Sequence, residues 1–239
     1  MAVPLLAGAV VVCAGVAAVG ADSAATQPSM EELATHDGPL ELVSEADKRL
    51  ELYPLKESSG AYWVKSGRKP EGEVAYRLEM GDDGQWSMTL NDMHMTYLRR
   101  RKDGATMVPR EDDLGEHIEI DYEPVMQLVP GTWENGPVVE GTATMTVKNI
   151  RTGLVREKGT CVYRIELVGK QKVHTPAGDF EALVVRQTRH IRLSLAKSDV
   201  VMTSWYAPGR GAVAEHIETT TKAFGFIGGK KVTDSRLAR

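Results

Sequence analysis

The chain has 239 residues, of which 42% are hydrophobic and 26% charged, too apolar for a disordered protein and enough to build the core of one all-β domain or two small halves. A formal net charge of −4 excludes a surface designed to neutralise nucleic-acid phosphates, a task that needs a clustered positive excess.

Met1 to Ala21 contains no charged side chain, and Asp22 is the first charge. The run of Ala, Val, Leu and Gly predicts a signal peptide over residues 1–21, with Val19 and Ala21 as the small residues before the cleavage point. About 20 apolar residues are also long enough to stay as an N-terminal anchor, so membrane association through this segment is the second possibility. Either way the chain is expected to be exported, to the periplasm or the extracellular space. Cys13 follows Val10-Val11-Val12 and lacks the small residue that usually precedes a lipidated cysteine. The only other cysteine, Cys161, falls at an alternating strand position and reads as a small buried hydrophobe.

Residues 22–51 read as a polar linker with short helices. Ser29 followed by Glu32 forms a candidate capping box for a helix ending at Asp37-Gly38. Leu40, Val43, Ala46 and Leu50 then recur at helical spacing.

From Leu52 to Thr221 period-two alternation takes over, the signature of half-buried strands. The inward sets are expected to be Val74, Tyr76, Leu78 and Met80; Trp86, Met88 and Leu90; and Met93, Met95 and Tyr97. Further along come Thr106 and Val108; Ile118, Ile120 and Tyr122; Ala143, Met145 and Val147; and Cys161, Tyr163, Ile165 and Leu167. A long strand over residues 181–195 precedes two more, over 200–206 and 212–221. Gly81-Asp82-Asp83-Gly84 and Asp103-Gly104 mark hairpin turns. Short strands, frequent Gly, Pro and Asp turns and no amphipathic helices between them give a mainly β fold with antiparallel meander order. Tyr53 to Trp63 faintly echoes Leu128 to Trp133, which leaves two similar half-sheets or chance similarity open. Residues 222–239 read as a basic C-terminal segment, with Gly225 to Lys231 as a terminal turn.

Two turns stand out: Thr175-Pro176-Ala177-Gly178-Asp179-Phe180-Glu181-Ala182-Leu183, and Trp205-Tyr206-Ala207-Pro208-Gly209-Arg210-Gly211. In both, Pro presets the turn and Gly takes positive φ before the next strand. The pair resembles a group of bacterial exported proteins of unknown function that carry a Thr-Pro-Ala-Gly-x-Phe-x-Ala-Leu turn followed by a Trp-Tyr-Ala-Pro-Gly-x-Gly turn. The resemblance implies a strongly curved antiparallel sheet, similar to the half-barrel or open barrel of periplasmic lipoprotein carriers, preceded here by a short helical N-terminal region. It implies a hydrophobic concave face and says little about activity.

Catalytic signatures such as Gly-x-Ser-x-Gly and His-Glu-x-x-His are missing from the sequence. His117-Ile118-Glu119 and His216-Ile217-Glu218 each place His and Glu on one strand face, which two adjacent strands could use for a divalent ion; a solvated polar face is the plainer reading, and no metal site is assigned. Arg99-Arg100-Arg101-Lys102 could meet anionic head groups, or form a hairpin tip paired with Glu111-Asp112-Asp113. The methionines in or near strands suit either an adaptable apolar surface or core filling. Trp86, Met88, Met93, Met95, Trp133, Trp205 and Tyr206 are the candidate ligand-binding residues.

These readings together describe a non-enzymatic cell-envelope β protein, without cofactor and without nucleic acid, that binds a lipid or other hydrophobic small molecule in a concave apolar face. The alternative is an assembly factor that joins an envelope protein partner through a sheet edge. A hydrolase with a dispersed site stands third.

Overall fold

The computed structural model describes residues 29–35, 37–67, 71–223 and 227–239; the apolar segment and its cleavage point lie outside them. A six-residue helix, α1 (Met30–Thr35), comes first, with the Glu32 N–H donating to Ser29 Oγ at 3.1 Å. Twelve strands follow: β1 (Ser58–Ser66), β2 (Gly72–Met80), β3 (Trp86–Leu90), β4 (His94–Arg100), β5 (Thr106–Asp113), β6 (Ile118–Val129), β7 (Val138–Asn149), β8 (Val155–Thr175), β9 (Gly178–Leu193), β10 (Ala196–Ala207), β11 (Gly211–Ala223) and β12 (Ile227–Leu237).

The strands pair in chain order, each antiparallel to the next, and β12 returns to pair with β1 through Tyr62↔Leu237 and Ser66↔Thr233. This corrects the expected half-barrel: the sheet is a closed barrel with no free edge among its strands. It also corrects the expected helical N-terminal region. Beyond α1, the described residues of that stretch hold a single 3₁₀ turn at Asp47–Arg49 and no further helix, with Glu41 bridged to Lys170 on β8. The sheet continues past Thr221, because β11 runs to Ala223 and the supposed C-terminal tail is the closing strand.

Alternation explains most of the strands. Ile118, Ile120 and Tyr122 on β6, Ala143, Met145 and Val147 on β7, and Cys161, Tyr163, Ile165 and Leu167 on β8 are all buried in one inward core, each full burial contributing roughly 1.5–3 kcal/mol. Burial also pushes the Cys161 thiol up to about 11. On β4 the reading slips by one residue: His94, Thr96 and Leu98 are the buried set, so Met95 and Tyr97 point outward. Met80 ends β2 at 54% exposure rather than in the core. The suggested echo does not correspond to equivalent places, since Trp63 lies within β1 whereas Trp133 sits in the β6–β7 connection.

The turns fall where their residues require. Gly178 (φ +124°) closes β8–β9 opposite Thr175, and Gly209 (φ +73°) with Gly211 (φ +90°) closes β10–β11. Within the sheet, a Cβ on Gly141 would lie 2.3 Å from the Tyr163 hydroxyl, so the glycine makes room for the tyrosine across the β7–β8 ladder.

The outer surface is laced with ion pairs. Arg110 meets Asp112 and Glu119, Lys148 meets Glu119 and Asp121, Arg164 meets Glu140, and Lys230 meets Glu218. A membrane-spanning barrel requires an apolar outward band in place of such charges.

The barrel interior as a candidate functional site

The side chains facing inward change character around the ring. Along β6 to β8 they are almost all apolar, but β9 to β12 contribute Gln187, Arg189, Ser198, Ser204, Glu215, Thr219, Thr233 and Ser235 on the same inward parity as Ile191, Met202 and Ile217. Opposite them β5 supplies Glu111, which is only 3% exposed. Charges removed from water need partners, and these residues supply one another. Tyr122 donates its hydroxyl to Glu111 Oε2 at 2.7 Å. Arg189 donates to Gln187 Oε1 at 2.9 and 3.2 Å and lies 3.7 Å from Glu111 Oε1. Ser204 donates to Glu215 Oε1 at 3.2 Å across the β10–β11 ladder.

These polar groups border a cavity of about 80 Å³ whose wall includes Tyr53, Tyr62, Met88, Met202, Tyr206 and Ile217 as well as Glu111, Arg189 and Glu215. Since a water needs roughly 10–15 Å³ on this measure, the space holds a handful of waters or a compact organic group. Glu215 is half-buried, and what it faces is this cavity. Burial raises its carboxyl above the usual carboxylate range, opposed by the Ser204 hydrogen bond and the Arg189 charge. The phenols of Tyr62 and Tyr206 are raised well above their ordinary value, first by burial and then by the Glu215 charge.

The N-terminal stretch covers one end of the barrel. Leu52 and Tyr53 are buried there. Tyr53 stands edge-on to Tyr206, with ring centroids 6.2 Å apart, and its hydroxyl contacts Met88 Sδ at 3.0 Å. Arg100 clamps this segment from the β4 side, donating to Glu51 Oε1 and to the Tyr53 carbonyl, both at 2.6 Å. On the other side the Trp133 backbone N–H donates to the Lys48 carbonyl at 2.9 Å, and Arg49 pairs with Glu134. Farther back, Asp37 and Arg236 form a buried ion pair at 2.7 Å. A mouth of about 310 Å³ opens between Pro54–Ser58 and the β10–β11 turn, and it shares Tyr53, Tyr62, Met88 and Ala212 with the inner cavity.

Of the seven candidate residues, Met88 and Tyr206 line the cavity. Trp86 packs at the edge of the core on β3, and Trp133 is buried beneath the strap. Met93 is exposed in the β3–β4 turn, Met95 points outward, and Trp205 donates its indole N–H to Gln171 Oε1 at 2.7 Å. The structure therefore does not assemble these seven into one surface. Sequence reasoning missed Glu111, Arg189 and Glu215; Arg189 and Glu215 occupy core-parity positions in their strands, whereas Glu111 lies off the parity of Thr106 and Val108 and comes inward at the register shift between Val108 and Arg110. The basic run also resolves differently from its expected pairing: Arg99 bonds Gln85, Arg100 holds the strap and Arg101 bonds Asp103, while Glu111 turns inward.

His117 sits in a left-handed turn (φ +55°) and His216 lies on β11, a strand that shares no ladder with β6. His216 bonds Asp234 at 2.6 Å, and among the described residues no group of three His, Cys, Asp or Glu side chains is placed to hold a metal ion.

No family model and no curated protein matches the chain. Among solved structures it is similar to an exported-type protein with a YmcC-like fold from Bacteroides fragilis, at 15% identity and TM-score 0.41, covering 80% of this chain and 98% of that one. It is also similar to the hypothetical lipoprotein YmcC of Escherichia coli, at 9% identity and TM-score 0.41, covering 82% and 97%. A candidate lipoprotein of Parabacteroides distasonis aligns at 10% identity and TM-score 0.38, covering 78% and 97%. Likenesses this loose leave the reading of the site to the chain's own geometry.

Proposed function

We propose that this protein is an exported, non-enzymatic binding barrel that takes a small, partly apolar molecule into its interior. The carrying observation is the cavity itself: apolar and aromatic walls, a few polar groups converging from β5, β9 and β11, and a mouth at the strap end. That combination is the usual form of a small-molecule site. Export rests on the uncharged segment from Met1 to Ala21. An extended acyl chain laid along an open concave face is no longer the occupant, because closure turns that face into a confined interior. The competing assembly-factor reading loses its mechanism for the same reason: strand addition needs an unpaired edge, and β1 and β12 pair with each other.

The test is native mass spectrometry of the purified protein, together with titration of a fluorescent apolar probe. Met202, buried beside the cavity, is the residue to enlarge. Met202→Trp is expected to fill the space and weaken probe binding at least about tenfold while the far-ultraviolet dichroism stays that of a β-sheet protein. Unchanged probe binding in a folded Met202→Trp variant would sink the interior site.

A further inference from the structure

Two carboxyl groups, Glu111 and Glu215, and one guanidinium, Arg189, border the cavity. Arg189 already serves Gln187 and stands 3.7 Å from Glu111, which also takes the Tyr122 hydroxyl. The hydrogen bond that Glu215 receives comes from the neutral Ser204 hydroxyl. An enclosed carboxylate needs a counter-charge or must hold its proton, so with Glu111 matched to Arg189, one positive charge is lacking when Glu215 is ionised.

The wall beside Glu215 is aromatic. Tyr62 is fixed by donating its hydroxyl to the Ala212 carbonyl at 2.8 Å, three residues from Glu215 along β11. Tyr206 lies on the neighbouring strand, cross-strand from Ala212, and Tyr53 packs edge-on against it. With the Tyr62 and Tyr53 hydroxyls engaged at Ala212 and Met88, what these residues offer a ligand is ring surface. Electron-rich rings around a carboxylate attract cations whose hydration shell is weak, as alkylated ammonium groups are.

Taking the interior binding site as the premise, we propose that its ligand carries a compact organic cation, an alkylated ammonium group, seated between the Glu215 carboxylate and the rings of Tyr53, Tyr62 and Tyr206. The apolar wall from Met88, Met202 and Ile217 suits the methyl or methylene groups around such a nitrogen. The cavity's size admits a head group of about five heavy atoms, consistent with a water-sized unit needing roughly 10–15 Å³. A bulkier ligand would extend its remainder through the mouth past Tyr53.

The discriminating experiment titrates the purified protein by calorimetry with choline and with 3,3-dimethylbutan-1-ol, which has the same shape and no charge. Choline is expected to bind at least about tenfold more tightly, and Glu215→Gln to abolish that preference. Tyr53→Leu, outside the barrel strands, is expected to weaken choline more than the alcohol. Equal or tighter binding of the alcohol to the unaltered protein would overturn the cation proposal and leave the interior site standing. Binding of neither probe, while a co-purified neutral molecule is displaced by Met202→Trp, would overturn the cation alone. If Glu215→Gln fails to fold, the two probes on the unaltered protein still decide the matter.

Discussion

The two sides of the barrel obey different rules. From β6 to β8 the inward residues are mostly Ile, Leu, Met, Val, Ala, Tyr and Cys, packed into one apolar core. From β9 to β12 the same inward parity carries Arg189, Gln187, Ser204, Glu215, Thr233 and Ser235, held by hydrogen bonds around a cavity. The first side is stabilised by area removed from water. The second places polar and charged groups where each needs a partner, an arrangement that rarely adds net stability. The difference teaches that one half of this ring is built on close apolar packing and the other half gives up packing for a cavity with polar walls.

That contrast can be broken most forcefully at Arg189. Arg189→Met is expected to cost on the order of 3–5 kcal/mol in a urea titration, because Glu111 is left buried beside Tyr122 without its cation. The double change Glu111→Gln with Arg189→Met should recover much of the loss; an additive result would deny that the two charges form a unit. On the apolar side, Ile165→Ala at a fully buried position should cost about 2–4 kcal/mol with no dependence on pH.

The smallest effect is the most specific to the polar side. Burial raises the Glu215 carboxyl, so the folded state binds its proton more tightly than the unfolded chain does. That contribution to stability is full below the unfolded carboxyl pKa of about 4.3 and is lost as pH rises through the raised folded value. Glu215→Gln should therefore flatten a decline in thermal midpoint above that pH. Identical profiles for the two proteins would show that Glu215 does not titrate inside the barrel.

What could be read from the chain follows the same division. The strands β2, β3 and β6 to β8 announce themselves by alternation because their inward faces are largely apolar, β9 by Leu183, Val185, Ile191 and Leu193 on either side of its polar middle, and the turns at Gly178 and Gly209 by their glycines. β12 did not, since its inward positions are Gly229, Lys231, Thr233, Ser235 and Leu237, a strand whose buried side is mostly polar. The slip on β4 has the same origin: His94 and Thr96 face in while Met95 and Tyr97 face out. Leu40, Val43, Ala46 and Leu50 have helical spacing, yet only the 3₁₀ turn between Ala46 and Leu50 is helical, and the chain before it is tied to β8, with Glu41 N–H donating to the Lys170 carbonyl at 2.7 Å. Closure itself depends on twist and stagger accumulated over twelve strands, which no single segment records. Arg189 and Glu215 were illegible because a charge at core parity has the same signature as a strand on the surface, and Glu111 because the register shift on β5 carries it inward.

Pairing β1 with β12 joins the first strand of the sheet to the last, so the ring cannot close until β12 has been made. A growing chain must carry two raw β edges, each able to recruit a neighbouring copy, until β12 is in place. With nearly all its other pairings between sequence neighbours, assembly should run quickly as a meander and then wait on a single long-range docking step. Loss of the last strand would convert a self-contained cylinder into an open ribbon prone to polymerise.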